Sequence, residues 1–187
     1  MNTTPSTPST PSIPRRRRRT LASAAFVTAL AAAGVGLGAP SATAGTVSVG
    51  YTCTGPGAPD GVQSLQVTVT APASVPQGGT AELALEVTTE LRVPLNVPAH
   101  SVTGDMTLEL GGAASGSVTA TGFTNPASIP SGSTVTLTGG TASAQLDTAG
   151  TATFTPGEAA VHVFGVTVAC TVSGTAPVAA TTEVTGA

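Results

Sequence analysis

From Val47 onward, apolar and polar residues alternate with a period of two, and no stretch beyond residue 44 sustains the 3.6-residue period of a helix. A period of two sends successive side chains to opposite faces of an extended strand. Val47, Val49, Tyr51 and Cys53 share one face; Leu65, Val67 and Val69 share another; Leu83, Leu85 and Val87, then Met106, Leu108 and Leu110, then Val135 and Leu137 repeat the pattern. Shorter runs lie at residues 117–121, 142–146 and 151–154, and Phe164, Val166, Val168, Cys170 and Val172 form the last inward set. Just before it the inward set is Val161 and Val163, a change of parity that predicts a bulge near Gly165. Gly111-Gly112, Gly139-Gly140 and Pro156-Gly157 punctuate the runs. The expectation is an all-β fold, an immunoglobulin-like β-sandwich of about 8–10 short strands.

Ahead of this region lies a leader. Five arginines at residues 15–19 precede a weakly apolar stretch at 21–37 and then Ala42-Thr43-Ala44. A positive region, an apolar region and an Ala-x-Ala site together read as a secretory signal peptide, residues 1–44, cleaved between Ala44 and Gly45. A spanning helix needs about 20 strongly apolar residues, whereas this stretch carries Gly34, Gly36 and Gly38 and ends at Pro40. The arginines fit either general secretory or twin-arginine export. Residues 45–187 are then a single domain with one basic residue, Arg92, against nine acidic ones, a formal net charge of −8. One cation cannot neutralise a phosphate backbone, so nucleic acid is not the expected partner, nor is a membrane once the leader is gone.

Cys53 and Cys170 are the only cysteines. In an exported chain an even pair reads as a disulfide, and both fall on the inward face of an alternating run.

Chemistry is conspicuous by its missing parts. No serine has glycine at both −2 and +2, as a nucleophile elbow requires. Two histidines and two paired cysteines give no metal-ligand cluster, and no calcium loop is present, so neither a metal nor another cofactor is expected. His162 sits between inward Val161 and Val163 and is expected to face solvent; His100, in Pro98-Ala99-His100-Ser101, occupies a loop or an edge. A triad of His100, Asp105 and a serine has no spacing signal behind it. Tyr51, Phe123, Phe154 and Phe164 are the only aromatics of the exported part and read as core, leaving none for a sugar-stacking platform. The expectation is a protein that is not an enzyme.

Two segments stand out. Pro72-Ala73-Ser74-Val75-Pro76-Gln77-Gly78 returns as Pro126-Ala127-Ser128-Ile129-Pro130-Ser131-Gly132, either one connector used twice or the mark of a duplicated unit. Residues 90–100 are apolar, broken by Pro94 and Pro98, and hold Arg92. They read as an edge or crossover, or as an exposed contact loop presenting Leu91, Arg92, Val93, Leu95 and His100.

With Tyr51-Thr52-Cys53 opening the domain and Val168-Ala169-Cys170 closing it, the layout resembles a family of small secreted actinobacterial proteins of unknown function, with a Thr/Ala/Gly-rich β-domain and a cysteine near each end. The resemblance implies an extracellular or cell-wall-associated β-sandwich and brings no catalytic residues. The functional expectation is a non-catalytic envelope or extracellular binding or structural protein, with a cell-wall polymer or an extracellular protein as partner. The alternative is a secreted inhibitor of a protease or other hydrolase, acting through residues 90–100 with Arg92 as its specificity residue.

Overall fold

The computed structural model describes residues 41–186; the leader's arginines and apolar stretch lie outside the described residues. Ten strands form: β1 (Ala42–Thr54), β2 (Val62–Pro72), β3 (Ser74–Pro76), β4 (Gly79–Arg92), β5 (Val102–Gly112), β6 (Gly116–Thr124), β7 (Thr134–Leu146), β8 (Gly150–Val163), β9 (Val166–Val172) and β10 (Ala180–Thr185). The all-β expectation holds. The ladders, however, join all ten strands in one sheet of order β3-β10-β8-β5-β6-β7-β4-β2-β1-β9, where a sandwich would have two. A further pairing of β8 with β9 closes eight of the strands into an antiparallel ring. Closure removes most free edges, and β10 and β3 extend the sheet from β8 with Val75, Ala180, Thr182 and Val184 buried in the same core.

The inward set fills the ring. Tyr51, Val67, Val69, Ala81, Leu108, Ala144, Leu146 and Phe154 are fully buried, and the alternation in each strand predicted these faces. A small recess of about 30 Å³ opens between these core residues, Leu65, Val87, Met106, Phe123 and Leu137, and the β5–β8 pair. The inward residues of the ring form one packed core. On the outer face hydroxyls stand where other proteins place charges. Thr46 and Thr68, Ser48 and Ser64, and Thr88 and Thr136 are hydrogen-bonded cross-strand pairs at 2.9, 2.9 and 3.0 Å.

The expected bulge at Gly165 is instead a turn. Phe164 and Gly165 form a two-residue hairpin, φ +51° and +78°, between β8 and β9, with Val163 opposite Val166. Two consecutive positive φ values match the type I′ geometry that suits the strand twist. The last alternating run is therefore two strands, and Phe164 is exposed at the tip rather than in the core.

The echoed segments sit at equivalent places. Read from β1 to β5, the order β1-β2-β4-β7-β6-β5 is the same from either end, with a pseudo-twofold between β4 and β7. The first copy links β2 to β4 and the second links β6 to β7, each starting 54 residues apart. Val75 and Ile129 are both buried plugs, and Gly78 and Gly132 both take φ near +80° (77° and 82°) at the turn that opens the next strand. The Gly78 N–H donates to Leu146 O and the Gly132 N–H to Val93 O, each at 2.8 Å. The carbonyls of the same two glycines accept from Gln145 Nε2 and Arg92 Nη1, each at 2.6 Å. Shared topology and shared contacts favour the duplicated unit over a connector used twice. A bulge at Thr138-Gly139 in β7 shifts the inward parity and hides the match in sequence.

Tyr51 ties the core to β8. Its hydroxyl donates to Gly157 O at 2.8 Å, and burial pushes its pKa from 10.0 up to about 12. Because the folded value is the higher, the unfolded chain loses its proton first. Stability should then hold below pH 10 and fall by about 1.4 kcal/mol per pH unit until the folded group ionises. Tyr51→Phe is expected to abolish that slope in urea melts taken between pH 9 and 11. At neutral pH it should cost about 1–2 kcal/mol for the unpaired carbonyl. An unchanged slope would show that another group governs alkaline unfolding.

Candidate functional site

The antiparallel ring sorts its loops into two ends. Residues 55–61, 93–101, 125–133 and the Phe164-Gly165 turn gather at one end; β1 begins at the other. Three of the exposed large apolar residues, Val62, Leu95 and Phe164, belong to the first end, and both non-glycine residues with positive φ among the described residues, His100 (57°) and Phe164 (51°), lie there too. Left-handed backbone in a bulky residue costs of order 1 kcal/mol and tends to mark sites where geometry serves function.

Of residues 90–100, the first three end β4, and residues 93–101 form the crossover from β4 to β5 over this end. Pro94 and Pro98 keep it out of a ladder, and its only bridge is Val97 opposite Ile129. One side chain organises the crossing. Asn125, 1% exposed, accepts from Val102 N at 2.9 Å through Oδ1, and its Nδ2 donates to Pro98 O at 2.7 Å and Ala127 O at 2.9 Å. Its backbone carbonyl accepts the His100 N–H at 2.8 Å. Asn96 Oδ1 accepts from Ser131 N, and Ser131 Oγ donates to Pro94 O. The loop is thus braced by hydrogen bonds, without a nearby disulfide.

Of the five expected contact residues, three face outward: Arg92, Leu95 and His100. Leu91 lies half-buried at the penultimate position of β4, and Val93 packs against the core, so neither offers a free contact. Arg92 is committed, since Nη1 donates to Gly132 O. Leu95, 51% exposed at the bend, is the apolar tip. Asn125 was not among the expected residues. Its only signal is an asparagine directly before the second echoed segment, where the first copy has Ala71.

The histidines part company. His100 carries the loop turn and does not meet Asp105. His162 faces solvent as expected, yet it stands between Asp105 (Nε2 to Oδ2, 3.1 Å) and Thr167 (Nδ1 to Oγ1, 2.9 Å). The chain Thr167–His162–Asp105 lies on the outer face of β9, β8 and β5, with the imidazole 45% exposed. A pair this exposed contributes little to stability. Among the described residues no three His, Cys, Asp or Glu side chains gather as a metal site would need.

Cys53 and Cys170 are bonded and lie directly opposite each other in the β1–β9 ladder; Cys170 is buried and Cys53 half-buried. The expected cleavage pair lies inside β1, Ala44 opposite Thr70 and Gly45 opposite Val69. The sheet thus begins at Ala42, three residues ahead of the expected domain start. Gly45 is packed so closely on the Ala179 carbonyl that a Cβ would overlap it.

Comparison of the chain with protein-family profiles, with curated proteins and with solved structures gave no match.

Proposed function

We propose that this is an exported, non-catalytic binding protein of the cell envelope or extracellular space, which presents the loop end of its barrel to a partner. The observation that supports this reading most is the Asn125 network, which holds residues 93–101 in a fixed shape while leaving Leu95 and His100 outside. Pre-ordering a loop lowers the entropy cost of binding. A disulfide in a chain with an Ala-x-Ala leader fits a protein that works outside the cytoplasm. The layout shared with small secreted actinobacterial β-domains points the same way.

The inhibitor reading draws support from the same bracing but changes its specificity residue. Arg92 is tethered to Gly132, so Leu95 is the side chain that would enter a hydrolase pocket. The test compares the protein with Leu95→Asp and Arg92→Ala variants for co-sedimentation with purified cell wall and for inhibition of a panel of secreted proteases. Wall retention lowered about tenfold by Leu95→Asp supports the loop end as the binding surface. Potent protease inhibition lost in the same variant selects the inhibitor. Activity in neither assay, or activity indifferent to Leu95, sinks the assignment of function to this loop.

A further inference from the structure

On the side of β8 that faces β10 and β9, pairing with β10 ends at Phe154 opposite Ala180, and pairing with β9 begins at Ala159 opposite Cys170. The residues between, Thr155, Pro156, Gly157 and Glu158, have no strand partner on that side. The sheet forks there, and the fork opens outward as a groove of about 800 Å³. It lies in the half of the barrel away from the 90–100 loop, so it is independent of the function proposed for that loop.

The groove is built from a narrow chemical set. Glu109 from β5 and Glu158 from β8 are exposed carboxylates, and among the described residues neither has a hydrogen-bond or ion-pair partner. Ser117, Thr155, Thr171 and Thr175 add hydroxyls, and Val172 and Ala176 supply a short apolar strip. No lysine or arginine lines it. Gly157 keeps the floor open, because a Cβ there would lie 3.4 Å from Glu109 Oε1 and 3.2 Å from Thr107 O. The floor is also fixed from within, since the Gly157 carbonyl holds the Tyr51 hydroxyl.

We propose that this groove binds an amino sugar: a small polyhydroxylated ligand bearing a protonated amine. Its volume is in the usual range for small-molecule sites, about 300–1,000 Å³, and accommodates one or two sugar rings. Carboxylates accept strong, charge-assisted hydrogen bonds from an ammonium group, and threonine and serine hydroxyls both donate to and accept from sugar hydroxyls. The Val172–Ala176 strip suits the C–H face of a ring. An acidic sugar would meet two carboxylates and no cation. An apolar ligand would bury the hydroxyls unpaired.

The test is a heteronuclear NMR titration of the purified, oxidised protein with the disaccharide of glucosamine. Its N-acetylated counterpart, cellobiose and a simple alkylamine serve as comparisons. The glucosamine disaccharide should shift the amides of Ser117, Glu158, Thr171 and Thr175 and leave those of residues 93–101 in place. Both Glu109→Gln and Glu158→Gln should weaken it about tenfold, with the melting temperature unchanged because both side chains are exposed. The N-acetylated and neutral disaccharides should bind about tenfold more weakly still than the amine. Equal binding of all three sugars, equal binding of the alkylamine, shifts confined to the loop end, or no shift at all would overturn the proposal.

Discussion

Replacing both Cys53 and Cys170 by alanine should cost the protein about 5 kcal/mol, the largest single loss available in this fold. The bridge spans 117 residues, and the chain-entropy relation gives about 4.9 kcal/mol for a loop of that length. The location sharpens the expectation. The β1–β9 ladder has four residue pairs, from Tyr51 opposite Val172 to Thr54 opposite Ala169, and it is one of the shortest seams in the ring. The covalent bond lies within that seam, so without it the barrel has a natural place to open. Chemical unfolding with and without reductant measures the effect. A midpoint unmoved by reductant would show that the ring closes unaided and that the bridge matters only during folding.

Asn125→Ala is expected to follow, at about 3 kcal/mol, or about 10 °C in melting temperature. The substitution strands the Val102 N–H and the carbonyls of Pro98 and Ala127 beside a 1%-exposed site. Asn125→Asp is the more telling change. It keeps size and shape but exchanges a double donor for an acceptor, aimed at two carbonyl oxygens in a buried place. It should therefore destabilise more than alanine does, and thermal melts of the two variants decide the matter. Should Asp be tolerated as well as Asn, water rather than the side chain must satisfy the loop carbonyls. In either variant, hydrogen exchange should quicken at residues 93–101 before it quickens in the strands, because local opening needs only that loop to release.

Much of this fold is legible from period-two alternation. The inward faces of β1, β2, β4 and β5 could be read residue by residue, because burial of one side chain in two is what alternation records. The cysteine pairing was legible from the leader and the even count. Two of the departures from the structure trace to a backbone event of one or two residues, whereas the closing of all ten strands into one sheet depends on long-range pairing that alternation does not record. Phe164-Gly165 reverses the chain in two residues, and a phenylalanine gives none of the asparagine or glycine signal that advertises such a turn. Gly139 inserts one residue into β7, so the second half of the barrel runs out of phase with the first and the internal symmetry is masked. Gly140 takes the Phe123 ring on its bare Cα, a contact between β6 and β7 that no local pattern encodes. The candidate sites were harder still. Asn125 acts through partners 23 and 27 residues away, and Glu109 and Glu158 line one groove only because β5 pairs with β8.

The outermost strand, β3, has consequences for how copies of this protein behave toward one another. Strand edges with free N–H and C=O groups invite pairing between molecules, and many proteins deter it with lysines. Residues 45–187 contain no lysine and one arginine. Here the ring conceals most edges, and the β10–β3 extension ends in a strand of three residues that finishes on Pro76, whose nitrogen has no hydrogen to offer. Protection of the strand edges thus rests on topology, which neither salt screening nor protonation of carboxylates removes. Edges guarded in this way stay guarded at any ionic strength or acidity at which the fold persists.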